Sequence, residues 1–197
     1  MANVYTVYHS TYGHTKLQAE AVHKGAGEVE GVKAVLLTVE EAIARLDELD
    51  SADAIIFGSP TYMGNMSSDM KKFIEVAAKK WFTMSWKDKI AGAFTNSSSF
   101  SGDKLNTLVG LMINAMQHGM IYVGLGLVPG ANEPEGAKTP AGFSAEAINR
   151  LGSFAGPMSA SFQVAPGGTP GKGDLETAKL YGRRVASIAK QFRPAAR

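Results

Sequence analysis

Three short segments hold the side chains whose types and spacing could do chemistry. The first, Ser10-Thr11-Tyr12-Gly13-His14-Thr15, gathers hydroxyls around one glycine directly before a helical pattern. A helix N-terminus offers unpaired N–H groups and the positive end of its macrodipole, so this segment suits a phosphate dianion without a lysine of its own. An ordinary strand-to-helix turn with a threonine cap draws on the same residues, and both readings stand at this point. The second, Ser59-Pro60-Thr61-Tyr62-Met63-Gly64-Asn65, combines an aromatic ring with free amides that could meet a flat heterocycle. Proline and glycine after a strand also mark a plain turn. The third, Asn96-Ser97-Ser98-Ser99-Phe100-Ser101-Gly102, is polar and again follows an apolar run.

Other chemistries lack their residues. No Gly-Lys-Ser or Gly-Lys-Thr occurs, so there is no Walker loop. In the nearest match to a dinucleotide fingerprint, Gly124-Leu125-Gly126-Leu127-Val128-Pro129, proline stands in the third glycine's place and no helix pattern begins. A Gly-x-Ser-x-Gly elbow is missing, which argues against a serine hydrolase. His9 and His23 have no partners at metal-ligand spacing, so no metal is expected. Glu40, Glu41, Asp47 and Asp50 read as a solvated helix face.

The three segments must be positioned by what surrounds them. Residues 3 to 8 read as a strand, and from Thr15 small and apolar positions recur at three- and four-residue spacing as in a helix. Val32 to Thr38 is a second β-rich run, Val39 to Asp50 a short acidic helix, and Ala54 to Gly58 an unbroken apolar strand. A helix with Met66, Met70, Phe73, Ile74 and Ala77 on one side follows. Ile90 to Thr95 is the fourth strand. The next helix carries Leu105, Leu108, Val109, Met112, Ile113 and Met116 along a broad apolar face, and Ile121 to Val123 is the fifth strand. Residues 124 to 173 form a long excursion rich in Gly, Pro and Ala, with room for a helical turn or two at Ala145 to Leu151. The last helix spans about Leu175 to Phe192.

Strands alternating with helices predict a doubly wound α/β fold, with a five-stranded parallel sheet covered by helices on both faces. The common order for five such strands is 2-1-3-4-5. Ligands of such sheets bind beyond the carboxyl ends of the strands at the switch between strands one and three, which is where the segments at Ser10, Ser59 and Asn96 fall.

The 197 residues suit one domain, 1–197, with 45% hydrophobic and 19% charged residues. Their 22 Gly and 8 Pro stay below the low-complexity range. Cysteine is absent, so disulfides, thiolate nucleophiles and cysteine-held clusters are excluded and any redox chemistry needs a bound cofactor. The balance of 20 basic and 18 acidic residues is too even for a nucleic-acid surface. The longest apolar runs are strand-sized, short of the roughly 18 residues of a membrane span. Without a leader pattern, a cytoplasmic location is expected.

Taken together, the residues resemble the WrbA-type NAD(P)H:quinone oxidoreductases, which are flavodoxin-like flavoproteins. The resemblance rests on Tyr-His-Ser-Thr-Tyr-Gly-His-Thr (8–15), Gly-Ser-Pro-Thr-Tyr-Met-Gly-Asn-Met (58–66), Lys80-Trp81 and Gln117-His118-Gly119-Met120, and covers residues 1 to about 124. It implies that Ser10, Thr11, Tyr12, Gly13, His14 and Thr15 hold the phosphate of FMN. Pro60, Thr61, Tyr62, Met63, Gly64 and Asn65 would flank the isoalloxazine, and Thr95, Asn96, Ser97, Ser98, Ser99 and Gly102 would line its third side. Hydride from NAD(P)H would then reduce the flavin and two electrons would pass to a quinone. The resemblance also implies a homo-oligomer, tetramer or dimer, and places His118 near the flavin or quinone, from the same or a neighbouring subunit; a C-cap role beside Gly119 is its alternative. Two departures stand out. Asn96 to Ser101 has serines where the family is usually glycine-rich, and the family's Gly-Thr-Pro-Tyr-Gly segment survives only as Gly168-Thr169-Pro170-Gly171. A non-catalytic electron carrier and an FMN-free interaction protein remain as alternatives, and reduction of azo or nitro compounds differs from quinone reduction only in the acceptor.

Overall fold

The longest buried apolar runs become the centre of a parallel sheet. The computed structural model describes residues 1–130 and 144–193. β1 (Ala2–Tyr8), β2 (Val32–Thr38), β3 (Ala54–Tyr62), β5 (Ile90–Ser97) and β6 (Ile121–Tyr122) run parallel in the order β2-β1-β3-β5-β6. This is the expected 2-1-3-4-5 arrangement once β4 (Asn65–Met66), a short antiparallel return on β3, is set aside.

Side chains alternate between two cores, as the two-residue period of a strand requires. Ile55 and Phe57 face Phe73, Trp86, Leu108 and Leu111 on the side of α3 (Ser68–Phe82) and α4 (Lys104–Gln117). Ala54 and Ile56 face Val22, Tyr181 and Val185 on the side of α1 (His14–Gly27) and α5 (Lys172–Phe192). α2 (Val39–Ala44) opens with a Thr38–Glu41 capping box. Asp47 and Asp50 are exposed, as expected of a solvated face, and both also accept hydrogen bonds from the Lys80 ammonium, at 2.6 and 2.7 Å, which tie α3 to the 3-10 turn Leu46–Ser51.

α1 and α5 approach so closely that a Cβ at Gly25 would lie 1.8 Å from the Lys179 carbonyl oxygen, and one at Gly182 would lie 2.0 Å from that of Val22. This contact fixes the axis of α1, and with it the position of the helix's N-terminus.

The fifth place in the sheet is shared by two segments. β6 pairs with the start of β5 (Ile90↔Ile121), while β7 (Met158–Ala160) pairs with its end (Thr95↔Met158, Ser97↔Ala160). The excursion therefore interrupts an edge strand. Its residues 131–143 lie outside the described ones. Ala145 to Leu151, expected as helical turns, forms non-helical turns, in which Asn149 N–H donates to Thr177 Oγ1 at 2.8 Å. Among the described residues no helix is long and apolar enough to cross a membrane, and no group of three or more His, Asp or Glu side chains could hold a metal ion.

Candidate functional site

A cavity of about 750 Å³ opens where β1, β3 and β5 end. That size is ordinary for a cofactor pocket. Ser10, Tyr12, His14 and Thr15 line it from the first segment. Gly13 turns the chain at φ 92°, a left-handed value that favours glycine, and its N–H donates to Ser10 Oγ at 3.1 Å. Thr11 points to solvent outside the lining. No side chain caps α1 and no acidic residue stands in its first turn, so the N–H groups that a helix start leaves unpaired remain available at this end of the cavity.

The second segment differs from a simple loop. β3 runs on through Ser59, Pro60 and Thr61 to Tyr62, then reverses through Met63 (φ 48°) and Gly64 (φ 76°) into β4. Two positive-φ residues between paired strands are the geometry of a two-residue hairpin. Pro60, Thr61, Tyr62 and Met63 line the cavity. Gly64 and Asn65 stand behind it: the Gly64 carbonyl accepts from Asn106 Nδ2 at 2.8 Å, and Asn65 Oδ1 accepts from the Met66 N–H at 2.8 Å. Tyr12 and Tyr62 meet edge-on at the mouth, 6.2 Å between ring centres.

From the third segment Asn96, Ser97 and Ser98 reach the cavity. Thr95 is buried beneath it in a chain of hydroxyls with Thr61 (2.8 Å), which donates to Thr107 (2.7 Å). Ser99 and Gly102 do not line it. Gly102 (φ 54°) closes the turn where a Cβ would strike Ser97 Oγ.

A fourth wall, absent from the sequence reading, comes from Ser161 and Gln163 to Pro166, just after β7. Ser161 N–H and Phe162 N–H continue the β5–β7 ladder by donating to Ser97 O (3.0 Å) and Ser98 O (2.8 Å). His14 Nε2 donates to Val164 O at 2.7 Å, and Pro166 packs over Gly13. Phe162 and Gln163 both have positive φ, so this wall holds non-glycine residues in a conformation that costs on the order of 1 kcal/mol each.

His118 lies elsewhere. It caps α4 just before β6, at the end of the sheet where strands begin, and with Trp81 lines a separate depression of about 290 Å³. Its ring packs 4.5 Å from that of Trp86, its Nδ1 has no partner, and burial pushes its pKa down, so the imidazole is neutral at pH 7. Within one chain it does not reach the large cavity.

Among the described residues the lining of the large cavity contains no Lys, Arg, Asp or Glu. Its walls are largely apolar, with hydroxyls and helix-start amides at one end. A ligand suited to it joins a flat apolar ring to an anionic group that backbone N–H groups can hold.

A family model described as NADPH-dependent FMN reductase matches residues 15–133, more than half of the chain. The chain belongs to that family. Flavodoxin FldP of Pseudomonas aeruginosa is 42% identical to it over 98% of this chain and 99% of its own length. An NAD(P)H dehydrogenase (quinone) of Archaeoglobus fulgidus is 34% identical over 98% of this chain and 100% of its own. The solved flavodoxin, WrbA-like protein from Agrobacterium tumefaciens is 39% identical, covers 98% of this chain and 100% of its own, and superposes with a TM-score of 0.72. These likenesses put the chain in the WrbA-type group that its motifs at 8–15 and 58–66 resemble.

For a member of the FMN reductase family the cavity's chemistry fits the cofactor: uncapped amides for the phosphate, apolar and aromatic side chains for the ring. Two contributions escaped the sequence. The wall 161–166 is signalled only by the pairing of β7. Lys104, whose ammonium donates to Ser97 Oγ at 2.8 Å and to Ser99 O at 2.5 Å, reads in sequence as an ordinary charged residue at a helix start.

Proposed function

We propose that the protein is an FMN-dependent oxidoreductase that passes two electrons from NAD(P)H to a quinone or a similar small acceptor. The observation that carries this reading is the cavity itself, where an uncapped helix start meets an uncharged, largely apolar wall. FMN, when bound, supplies the redox chemistry, taking a hydride from NAD(P)H and returning the electron pair to the acceptor. The protein's part is placement. Ser10, Tyr12, Gly13, His14 and Thr15 hold the phosphate, Pro60 to Met63 flank the ring with Gly64 and Asn65 behind them, and Asn96 to Ser98, backed by Thr95, Ser99 and Gly102, support its third side, with Ser161 and Gln163 to Pro166 closing the fourth. Relatives named NAD(P)H dehydrogenase (quinone) support the choice of donor and acceptor.

The chain acts in this reading as one flavodoxin-like domain in the cytoplasm, assembled as a homo-oligomer. Leu105, Ile113 and Met116 on α4, with Trp81, Phe82 and Ile121 nearby, leave apolar surface exposed for a second copy. In such an assembly His118 and Trp81 would serve a neighbour's site.

An absorbance spectrum followed by anaerobic NAD(P)H titration tests the reading. Flavin bands that bleach in one two-electron step and return on adding benzoquinone are expected. A colourless protein that takes up no added FMN would overturn it. The name of the Pseudomonas relative favours a second reading, a flavodoxin-type carrier, and reduction in two separate one-electron steps would select it.

A further inference from the structure

Lys104 is the first residue of α4 and is fully buried. The position is unfavourable for a cation, because it lacks water and stands at the positive end of the helix macrodipole. Its ammonium is held by Ser97 Oγ and Ser99 O, in the segment that presents Ser97 and Ser98 to the large cavity. Among the described residues two carboxylates, Asp174 and Asp103, stand near it. Asp174 is engaged twice by Arg150, at 2.7 and 2.6 Å, with both side chains almost wholly buried. Asp103, the preceding residue, lies in the exposed turn. Asp174 attracts the ammonium more than Arg150 repels it, and among the described residues the three side chains together carry one positive charge in excess. Lys104 lines a second depression of about 670 Å³ with Asp103 and Arg150, and its link to the large cavity is Ser97, which accepts from the ammonium and also lines that cavity, so an anionic ring held there would stand across one serine from the charge.

We propose that Lys104 is a positioning residue whose ammonium steadies residues 97–99 against bound FMN and favours the reduced, anionic ring over the oxidised, neutral one. The inference rests on the FMN-dependent reading. Hydride from NAD(P)H, two electrons and one proton, leaves NAD(P)⁺ and gives the ring one negative charge. Passing that hydride, with one proton from solvent, to a quinone yields the hydroquinone and restores the neutral ring. The negative charge forms and disappears on the far side of Ser97 from a cation that solvent screens weakly, so attraction acts on the reduced state alone.

Burial and Arg150 lower the Lys104 pKa to about 8 while Asp174 opposes them, so the charge is present at neutral pH and within reach of titration. Reduction of the ring then raises that pKa, which makes proton uptake a direct readout. The two-electron midpoint potential of the FMN-loaded protein should be followed with reference dyes from pH 6.5 to 9.5, alongside Lys104→Met and Lys104→Arg. In the wild type the protons taken up per electron pair are expected to rise from one towards two as pH passes about 8; a steady value of one across that range overturns the proposal. Lys104→Met should lower the affinity for reduced relative to oxidised FMN about tenfold, read as a potential lower by about 30 mV for a two-electron couple. Lys104→Arg should recover most of it. A Lys104→Met protein that retains FMN with its potential unchanged also overturns the assignment. Failure of the wild type itself to bind FMN would instead remove the functional reading beneath it. Should Lys104→Met not fold, the wild-type proton count decides alone.

Discussion

His14 Nε2 donates to the Val164 carbonyl across 2.7 Å, joining the turn after β1 to a wall 150 residues further along the chain. The bond sets the imidazole's tautomer and closes the cavity over Gly13. Replacing His14 with Ala frees Val164 to Pro166 at that corner. We expect FMN affinity to fall about tenfold, equivalent to about 1.4 kcal/mol, in a fluorescence titration. His14→Gln, which keeps an N–H donor, should lose less. Equal affinity for wild type and H14A would show that the wall holds without this bond.

The α1–α5 contact makes a prediction about stability rather than chemistry. Both Gly25 and Gly182 face a backbone carbonyl where a methyl group has no room, and no rotamer change can relieve it. Gly25→Ala or Gly182→Ala must push the helices apart, at a cost of about 3 kcal/mol. Urea unfolding checks this, and a change below about 1 kcal/mol would mean that α5 shifts freely on the sheet.

Arg150 and Asp174 form a buried bidentate pair, and Asp174 Oδ2 also accepts from the Ala160 N–H at 3.3 Å. Removing the carboxylate charge alone strands a guanidinium in the interior. Asp174→Asn should therefore destabilise by about 3 to 5 kcal/mol, whereas Arg150→Met combined with Asp174→Leu should cost less than half as much. Denaturant midpoints of the three variants separate these outcomes, and similar losses in the single and the double variant would refute the argument.

Lys104 also makes stability depend on pH. Its pKa in the folded protein, about 8, lies below its ordinary value of 10.5. Between those values the unfolded chain binds more protons than the folded one, so this residue's contribution to stability rises with pH across that window, and its full cost is present below pH 8. The difference in unfolding free energy between wild type and Lys104→Met should move in favour of the wild type by at most about 1.4 kcal/mol per pH unit from pH 8 to 10. Urea titrations at pH 7 and 9.5 measure it, and a constant difference would place the ammonium's pKa outside that range.

The fold was legible because its central strands are continuous apolar runs. Ile55, Ile56 and Phe57 can be buried on both faces only in a covered parallel sheet, and the helical spacing of Met70, Phe73 and Ala77 leaves little choice for the element that follows. Pro60 hid the length of β3. Proline normally ends a strand, yet here it lies beyond the last β1–β3 pair, Tyr8↔Gly58, where its missing N–H need not meet a β1 carbonyl. β7 was illegible for a different reason. Met158-Ser159-Ala160 is too short for any period to show, and it becomes a strand only because β5 has an open edge there. The sequence therefore pointed to three sides of the cavity and not to the fourth. Lys104 was missed because burial of a lysine is a property of what packs on it, not of its neighbours in the chain.

The division of the edge between β6 and β7 has a consequence for how the molecule is made. A nascent chain that has emerged only as far as β6 already holds the strands of the expected core order, but the outer edge of β5 at Thr95 to Ser97 has no partner and the corner around Ser10 stays open to water. Synthesis must proceed past Pro166 before that corner can close, and past Gly182 before α1 is clamped in place. The end of the molecule that carries the large cavity is thus completed last during translation, although its first residues leave the ribosome near the start.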